Sequence, residues 1–112
     1  MINSYSFGRI VIDGKEYTRD IIVFPDHIET DWWRKEGHKL CIDDIKDILK
    51  EKPEVLVVGT GYYGLMKVLP KAEKRLNSEG IKVIAQMTRE ACKTYNDLLK
   101  SNKVVAAFHL TC

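Results

Sequence analysis

A chain of 112 residues with 45% hydrophobic content and a net charge of +2 is sized and mixed for one globular domain spanning 1–112. Its 18 basic and 16 acidic residues are interleaved, as in Lys71, Glu73, Lys74 and Arg75, which excludes the strong positive field that nucleic-acid binding needs. No 18-residue apolar run marks a membrane span, Met1-Ile2-Asn3-Ser4 lacks the basic start and apolar core of a signal peptide, and Cys41, Cys92 and Cys112 form no C-x-x-C pair, so a reducing cytoplasm is the expected location.

The first third reads as β. Tyr5 and Phe7 alternate with Ser4 and Ser6, while Ile10 and Ile12 repeat the alternation with opposite parity, which predicts a bulge at Gly8. Asp13-Gly14 between Ile12 and Lys15 predicts a two-residue hairpin. A second apolar run, Ile21 to Phe24, is closed by Pro25-Asp26, and Ile28 and Thr30 suggest a short strand leading to Trp32-Trp33. If that strand reaches the tryptophans, one ring enters the core and the other needs a covering helix, a partner or a ligand.

Helix and strand then alternate. Ile45, Ile48 and Leu49 share a helical face, with Asp43 and Asp44 at its positive start. The wholly apolar run Val55–Val58 reads as a central parallel strand ending in the loop Gly59–Gly64. A second helix is expected from Pro70 to Gly80, with Ala72 and Leu76 inward. Strand 82–85 follows, then a third helix with Thr88 as its N-cap and Ala91, Tyr95, Leu98 and Leu99 on its inner face, and a last strand over 104–110. This order predicts an α/β fold: three layers, a mostly parallel central sheet flanked by helices, and an N-terminal β-hairpin layer. Placing 82–85 and 104–110 on either side of 55–58 makes Gly59 the switch point, where ligands of open α/β sheets collect.

Gly59, Gly61 and Gly64 have the G-x-G-x-x-G spacing of a phosphate cradle. Against a dinucleotide stand the late helix start at Pro70, Gln86 where a ribose would meet an acid, and the lack of a second mononucleotide half, so no cofactor is expected. Two readings are left for the loop: a small anion on its amides, or a tight turn whose glycines permit close packing. His109 and Cys112 are residue types of a nucleophile–base pair or a metal site. On an extended segment they point to opposite sides, however, and a terminal carboxylate beside Cys112 opposes a thiolate, so neither a catalytic residue nor a metal ligand is assigned.

Tyr-x-Phe-Gly at 5–8, Trp33-Arg34 with Gly37-His38, Gly59-Thr60-Gly61, Thr88 through Ala91 to Tyr95-Asn96, and His109-x-Thr111-Cys112 run end to end. Together they resemble the small, widely distributed family that includes the animal adipogenesis-associated Mth-domain protein, with the mitochondrial complex I assembly factor as a more distant relative. The resemblance implies a three-layer α/β fold with an added hairpin layer and no established enzymatic activity. It marks Gly59, Gly61, Thr88, Asn96, His109 and Cys112 as motif positions. The animal members resemble this chain with Arg in place of Thr60. The assembly-factor role is not carried over, because no mitochondrial targeting segment is read here.

The expectation is therefore a non-enzymatic module that binds a small anionic ligand or a protein partner at the glycine-loop edge. Gly59, Thr60, Gly61 and Thr88 would supply backbone and hydroxyl donors, Arg34, His38 and Arg89 charge, and His109 and Cys112 would complete the rim. The alternatives are a small enzyme using Cys112 or His109, and an assembly or scaffolding factor acting through exposed tryptophan.

Overall fold

The alternating N-terminal residues fold on themselves first. In the computed structural model, which describes residues 1–112, β1 (Ile2–Ser6), β2 (Arg9–Ile12) and β3 (Lys15–Tyr17) form a three-stranded antiparallel sheet. Asp13 and Gly14 both take positive φ, 49° and 82°, as a two-residue hairpin requires, and Ile12 pairs with Lys15 across them. The bulge expected at Gly8 is a chain reversal instead: Ser6 pairs with Arg9, and Gly8 turns the corner at φ 74°. A reversal resets the side-chain alternation just as an inserted residue does, so parity alone does not separate the two. The register irregularity of this sheet lies between Ile2 and Ser4.

The central sheet takes β4 (Ile21–Val23), β5 (Ile28–Glu29), β7 (Val55–Thr60), β9 (Lys82–Gln86) and β10 (Val104–His109) in the order β5-β4-β10-β7-β9. β7 lies between β9 and β10 and is parallel to both, so the chain order reverses at Gly59. The sheet as a whole is mixed rather than mostly parallel, because β4 pairs antiparallel with β10 and β5 antiparallel with β4. Pro25-Asp26 turns the chain between β4 and β5, and a hairpin needs no crossover helix to set its direction. Two further strands, β6 (Lys39–Leu40) and β8 (Lys67–Val68), make a small parallel ladder beside the sheet.

Side-chain alternation along the buried strands divides the core. Val55, Val57, Val104, Ala106 and Phe108 face Ala91, Cys92 and Tyr95 of α3 (Thr88–Leu98), together with Ile2, Ile10 and Ile12 from the N-terminal sheet. Leu56, Val58, Val105 and Ala107 face Trp32, Ile45, Ile48, Ala72 and Leu76. Of these, Ile45 belongs to a 3-10 turn over Ile42–Ile45, Ile48 to α1 (Lys46–Glu51), and Ala72 and Leu76 to α2 (Pro70–Ser78). Pro70 opens α2, and Gly80 follows its end at φ 79°. Asp44 accepts the amides of Lys35 and Cys41, tying the preceding loop to the helix start. Leu99 falls just past α3 and is exposed, so the inner face of that helix is Ala91, Cys92 and Tyr95, with Leu98 half-buried.

Candidate ligand cavity and aromatic edge

Thr88 is the first residue of α3 rather than its cap; Met87 holds the cap position. Its hydroxyl turns inward, accepts the Gly61 amide at 2.8 Å and donates to the His109 carbonyl at 2.6 Å. Its own amide donates to the Gly61 carbonyl at 3.1 Å. One buried side chain therefore joins the exits of β7 and β10 at the start of α3. Gly59 is required beside it: a Cβ there would lie 2.8 Å from the Phe108 ring and 2.9 Å from the Thr88 hydroxyl.

Most of the loop amides are engaged inside the fold. Tyr62 donates to the Thr111 carbonyl at 2.6 Å, Gly64 to Gly61 at 3.3 Å, Leu65 to Cys112 at 3.1 Å and Met66 to Thr60 at 3.0 Å. The Thr60 hydroxyl donates to the Gln86 carbonyl at 3.0 Å. Gly61, at φ 109°, packs directly on the Thr111–Cys112 backbone. The glycine loop is thus a clamp on the segment after β10, and an anion seated on these amides would compete with that clamp.

Across the Leu110–Cys112 segment the structure gathers a second group. Asp20 precedes β4, and continuing the β4–β10 register beyond Ile21↔Phe108 sets it beside His109. Its Oδ1 accepts the Leu110 amide at 2.8 Å. Its Oδ2 accepts Arg34 Nη2 at 2.8 Å and lies 2.7 Å from His109 Nδ1. Nδ1 also lies 3.1 Å from Arg34 Nη2, and a carboxylate only accepts, so the bond to Asp20 is made when Nδ1 carries the proton; Nε2 has no partner in the protein. Arg34 Nε donates to the Gly37 carbonyl at 2.8 Å, and its guanidinium lies 4.7 Å from the Trp32 ring centre. Burial alone would raise the Asp20 pKa, but the hydrogen bonds from His109, the Leu110 amide and Arg34 outweigh it and hold the carboxyl below its ordinary 3.8.

The Arg34 and His109 side chains are 5% and 7% exposed. Arg34 Nη1 and His109 Nε2 are buried with no hydrogen-bond partner in the protein. Both residues line a cavity of about 300 Å³ that also takes in Asp20, Trp32, Trp33 and Thr111. Trp32 is core, whereas Trp33 is 79% exposed on the cavity rim. His38 is exposed, its ring centre 5.6 Å from that of His109. Sequence reasoning missed Asp20: no local motif marks it, and only long-range pairing brings it to His109.

The remaining candidates lie elsewhere. Arg89 stands 5.6 Å from the ring centre of Tyr62, on the glycine-loop side. Tyr62 belongs to an exposed aromatic group with Phe7 at 5.7 Å and Tyr63 at 5.0 Å between ring centres. Met87 lies against Gly64, and it and Leu65 are both exposed. No hydrogen bond joins Cys112 to His109. Burial pushes the Cys92 thiol up to about 12, and burial together with a hydrogen bond to Asp44 raises that of Cys41.

The family model described as "Protein of unknown function (DUF498/DUF598)" matches residues 2–109. The fold is shared with the conserved hypothetical protein PH1505 from Pyrococcus horikoshii OT3, at 32% identity and a TM-score of 0.86 over 100% of this chain and 99% of that one. A Bordetella pertussis protein described as a Mth938-like domain matches at 22% identity and a TM-score of 0.71, covering 98% of this chain and 85% of that one. Among curated proteins, the chain is 28% identical over 109 residues to the NADH dehydrogenase [ubiquinone] 1 alpha subcomplex assembly factor 3 of Xenopus tropicalis. That match covers 95% of this chain and 58% of the relative, so the chain spans little more than half the relative's length. The likeness to Mth-domain proteins carried by the ordered motifs thus holds over almost the whole chain, and the chain belongs to the DUF498/DUF598 family.

Proposed function

We propose that the domain is a cytoplasmic docking module for another polypeptide, engaged through the aromatic edge beside the glycine loop. The observation that carries this is the group Phe7, Tyr62 and Tyr63, three exposed rings in mutual contact, with the exposed Leu65 following in the same loop and the exposed Met87 against Gly64. Isolated exposed apolar residues are ordinary, but a contiguous set rich in aromatics is the composition of an interface centre. The clamp beneath holds these rings: Tyr62 and Leu65 are tied by their amides to Thr111 and Cys112. A rigid platform loses little entropy on binding. Arg89 beside Tyr62 adds a positive charge to the rim, which suits a partner segment mixing apolar and acidic side chains. The relative's name, an assembly factor, supports a role in contacting other proteins. All three cysteines are free, which suits a reducing compartment.

The test compares the wild type with the Phe7→Ser, Tyr63→Ser double variant, both in ultracentrifugation and as bait in the native host extract. Both side chains are exposed, so thermal stability is expected to hold. The expected result is a monomer in both cases, with a partner recovered by the wild type and reduced about tenfold by the variant, a loss of about 1.4 kcal/mol. Equal recovery by both proteins overturns the proposal. So does a wild type that sediments as a dimer and a variant that does not, since the edge would then serve a second copy of this chain.

A further inference from the structure

We propose that the cavity beneath Trp33 binds a small organic monocarboxylate, recognised by Arg34 and His109. The inference stands apart from the aromatic edge, which lies on the other side of the Leu110–Cys112 segment.

Donors and acceptors in this cluster do not balance. Both oxygens of Asp20 are occupied, Oδ1 by the Leu110 amide and Oδ2 by Arg34 Nη2 and His109 Nδ1. Arg34 places Nε on the Gly37 carbonyl and Nη2 on Asp20, which leaves both hydrogens of Nη1 without an acceptor. The Trp32 face offers the guanidinium a π cloud, but no directional lone pair. His109, with Nδ1 committed to Asp20, leaves Nε2 unpartnered as well. The cluster therefore leaves unpartnered one donor, Arg34 Nη1, and one ring nitrogen, His109 Nε2, which accepts in the neutral ring and donates in the imidazolium. Buried polar atoms in native folds are paired with few exceptions, and two orphans on one cavity point to a group that belongs between them.

A carboxyl group fits both atoms. As a carboxylate it accepts from Arg34 Nη1 and from a protonated Nε2; as an acid its hydroxyl donates to a neutral Nε2 while its carbonyl accepts from Arg34. The charge balance sets the class. Asp20 cancels Arg34, and Asp31 on the rim is paired with Arg19 at 3.4 Å, so the site offers at most the one positive charge that His109 can supply. A monoanion is accommodated, whereas a phosphate dianion would bring one negative charge more than the site can offset. The indoles of Trp32 and Trp33 provide apolar walls, and a volume of about 300 Å³ suits a molecule with a small apolar body.

The test uses the full chain, followed through its Trp33 indole and Leu110 amide NMR resonances. It is titrated with sodium benzoate, with benzyl alcohol as a neutral analogue, and with inorganic phosphate. Benzoate is expected to shift both resonances saturably at millimolar concentration, with benzyl alcohol and phosphate at least about tenfold weaker. Trp33→Ala removes an exposed wall and keeps the fold; it is expected to weaken benzoate several-fold. Arg34→Lys retains the charge but not the planar fork and is expected to abolish the shift. No saturable shift with benzoate, equal response to benzyl alcohol or to phosphate, or benzoate binding unchanged in Trp33→Ala and Arg34→Lys would each overturn the proposal.

Discussion

Thr88→Val is the most direct probe of how the sheet exits are held. Valine keeps the shape of threonine and removes only the hydroxyl. In the fully buried Thr88 that hydroxyl serves two partners at once, accepting from Gly61 and donating to His109. Its loss leaves a buried amide and a buried carbonyl unpaired, at about 1–3 kcal/mol each, offset by about 0.8 kcal/mol for the added apolar group. The expected cost is about 1–5 kcal/mol, a large share of the stability of a domain this size. With a urea m-value of about 1.5 kcal/mol/M, the unfolding midpoint falls by about 0.7–3.3 M. Thr88→Ser, which keeps the hydroxyl and deletes a methyl packed on Gly59, should cost only about 1 kcal/mol. Urea unfolding followed by tryptophan fluorescence gives both values. A Thr88→Val protein within about 0.5 kcal/mol of wild type, the low end for a single hydrogen bond, or one more stable than Thr88→Ser, would refute the claim that the hydroxyl is the joint.

Two further outcomes follow from the same region. Gly61→Ala places a methyl 2.5 Å from the Cys112 carbonyl oxygen at φ 109°, so it strains the backbone and displaces the clamped segment, at about 2–5 kcal/mol. Gly14→Ala, with nothing within 4 Å of its Cβ, incurs backbone strain alone at about 1 kcal/mol; equal melting temperatures for the two variants would contradict the clamp. Asp20 has a folded-state pKa below its ordinary 3.8, so its contribution to stability is complete above that value and is lost as pH falls through the folded value. Asp20→Asn should lower stability at pH 7 and flatten the acid limb below about pH 4, and urea unfolding at pH 7 and pH 3 that shows parallel losses in wild type and variant would remove this assignment.

The parts legible in the sequence are those that carry their own signal. Val55–Val58 is apolar at every position and emerges as a strand buried on both faces, while Pro70 and Gly80 bracket α2 where a first-turn proline and a C-terminal glycine belong. Gly59 lies at the switch point because two crossovers through helices leave few ways to arrange three parallel strands. The antiparallel docking of β4 on β10 carries no such local mark. It is what makes the sheet mixed, and it also brings Asp20 to His109 and Arg34. A threonine before a helix reads as a cap in any local window; that Thr88 turns inward depends on Gly61 and His109, 27 and 21 residues away. β6 and β8, two residues each, are too short for any periodicity to register.

β10 is the last strand in chain order, yet it lies in the interior of the central sheet with all six residues buried. During translation the β4–β5 hairpin and the β7–β9 pair are therefore both complete while each still offers an open backbone edge to its surroundings. Ribosome-released fragments ending before Val104 should aggregate, whereas a chain that extends through β10 closes both edges in one step as that strand inserts between them.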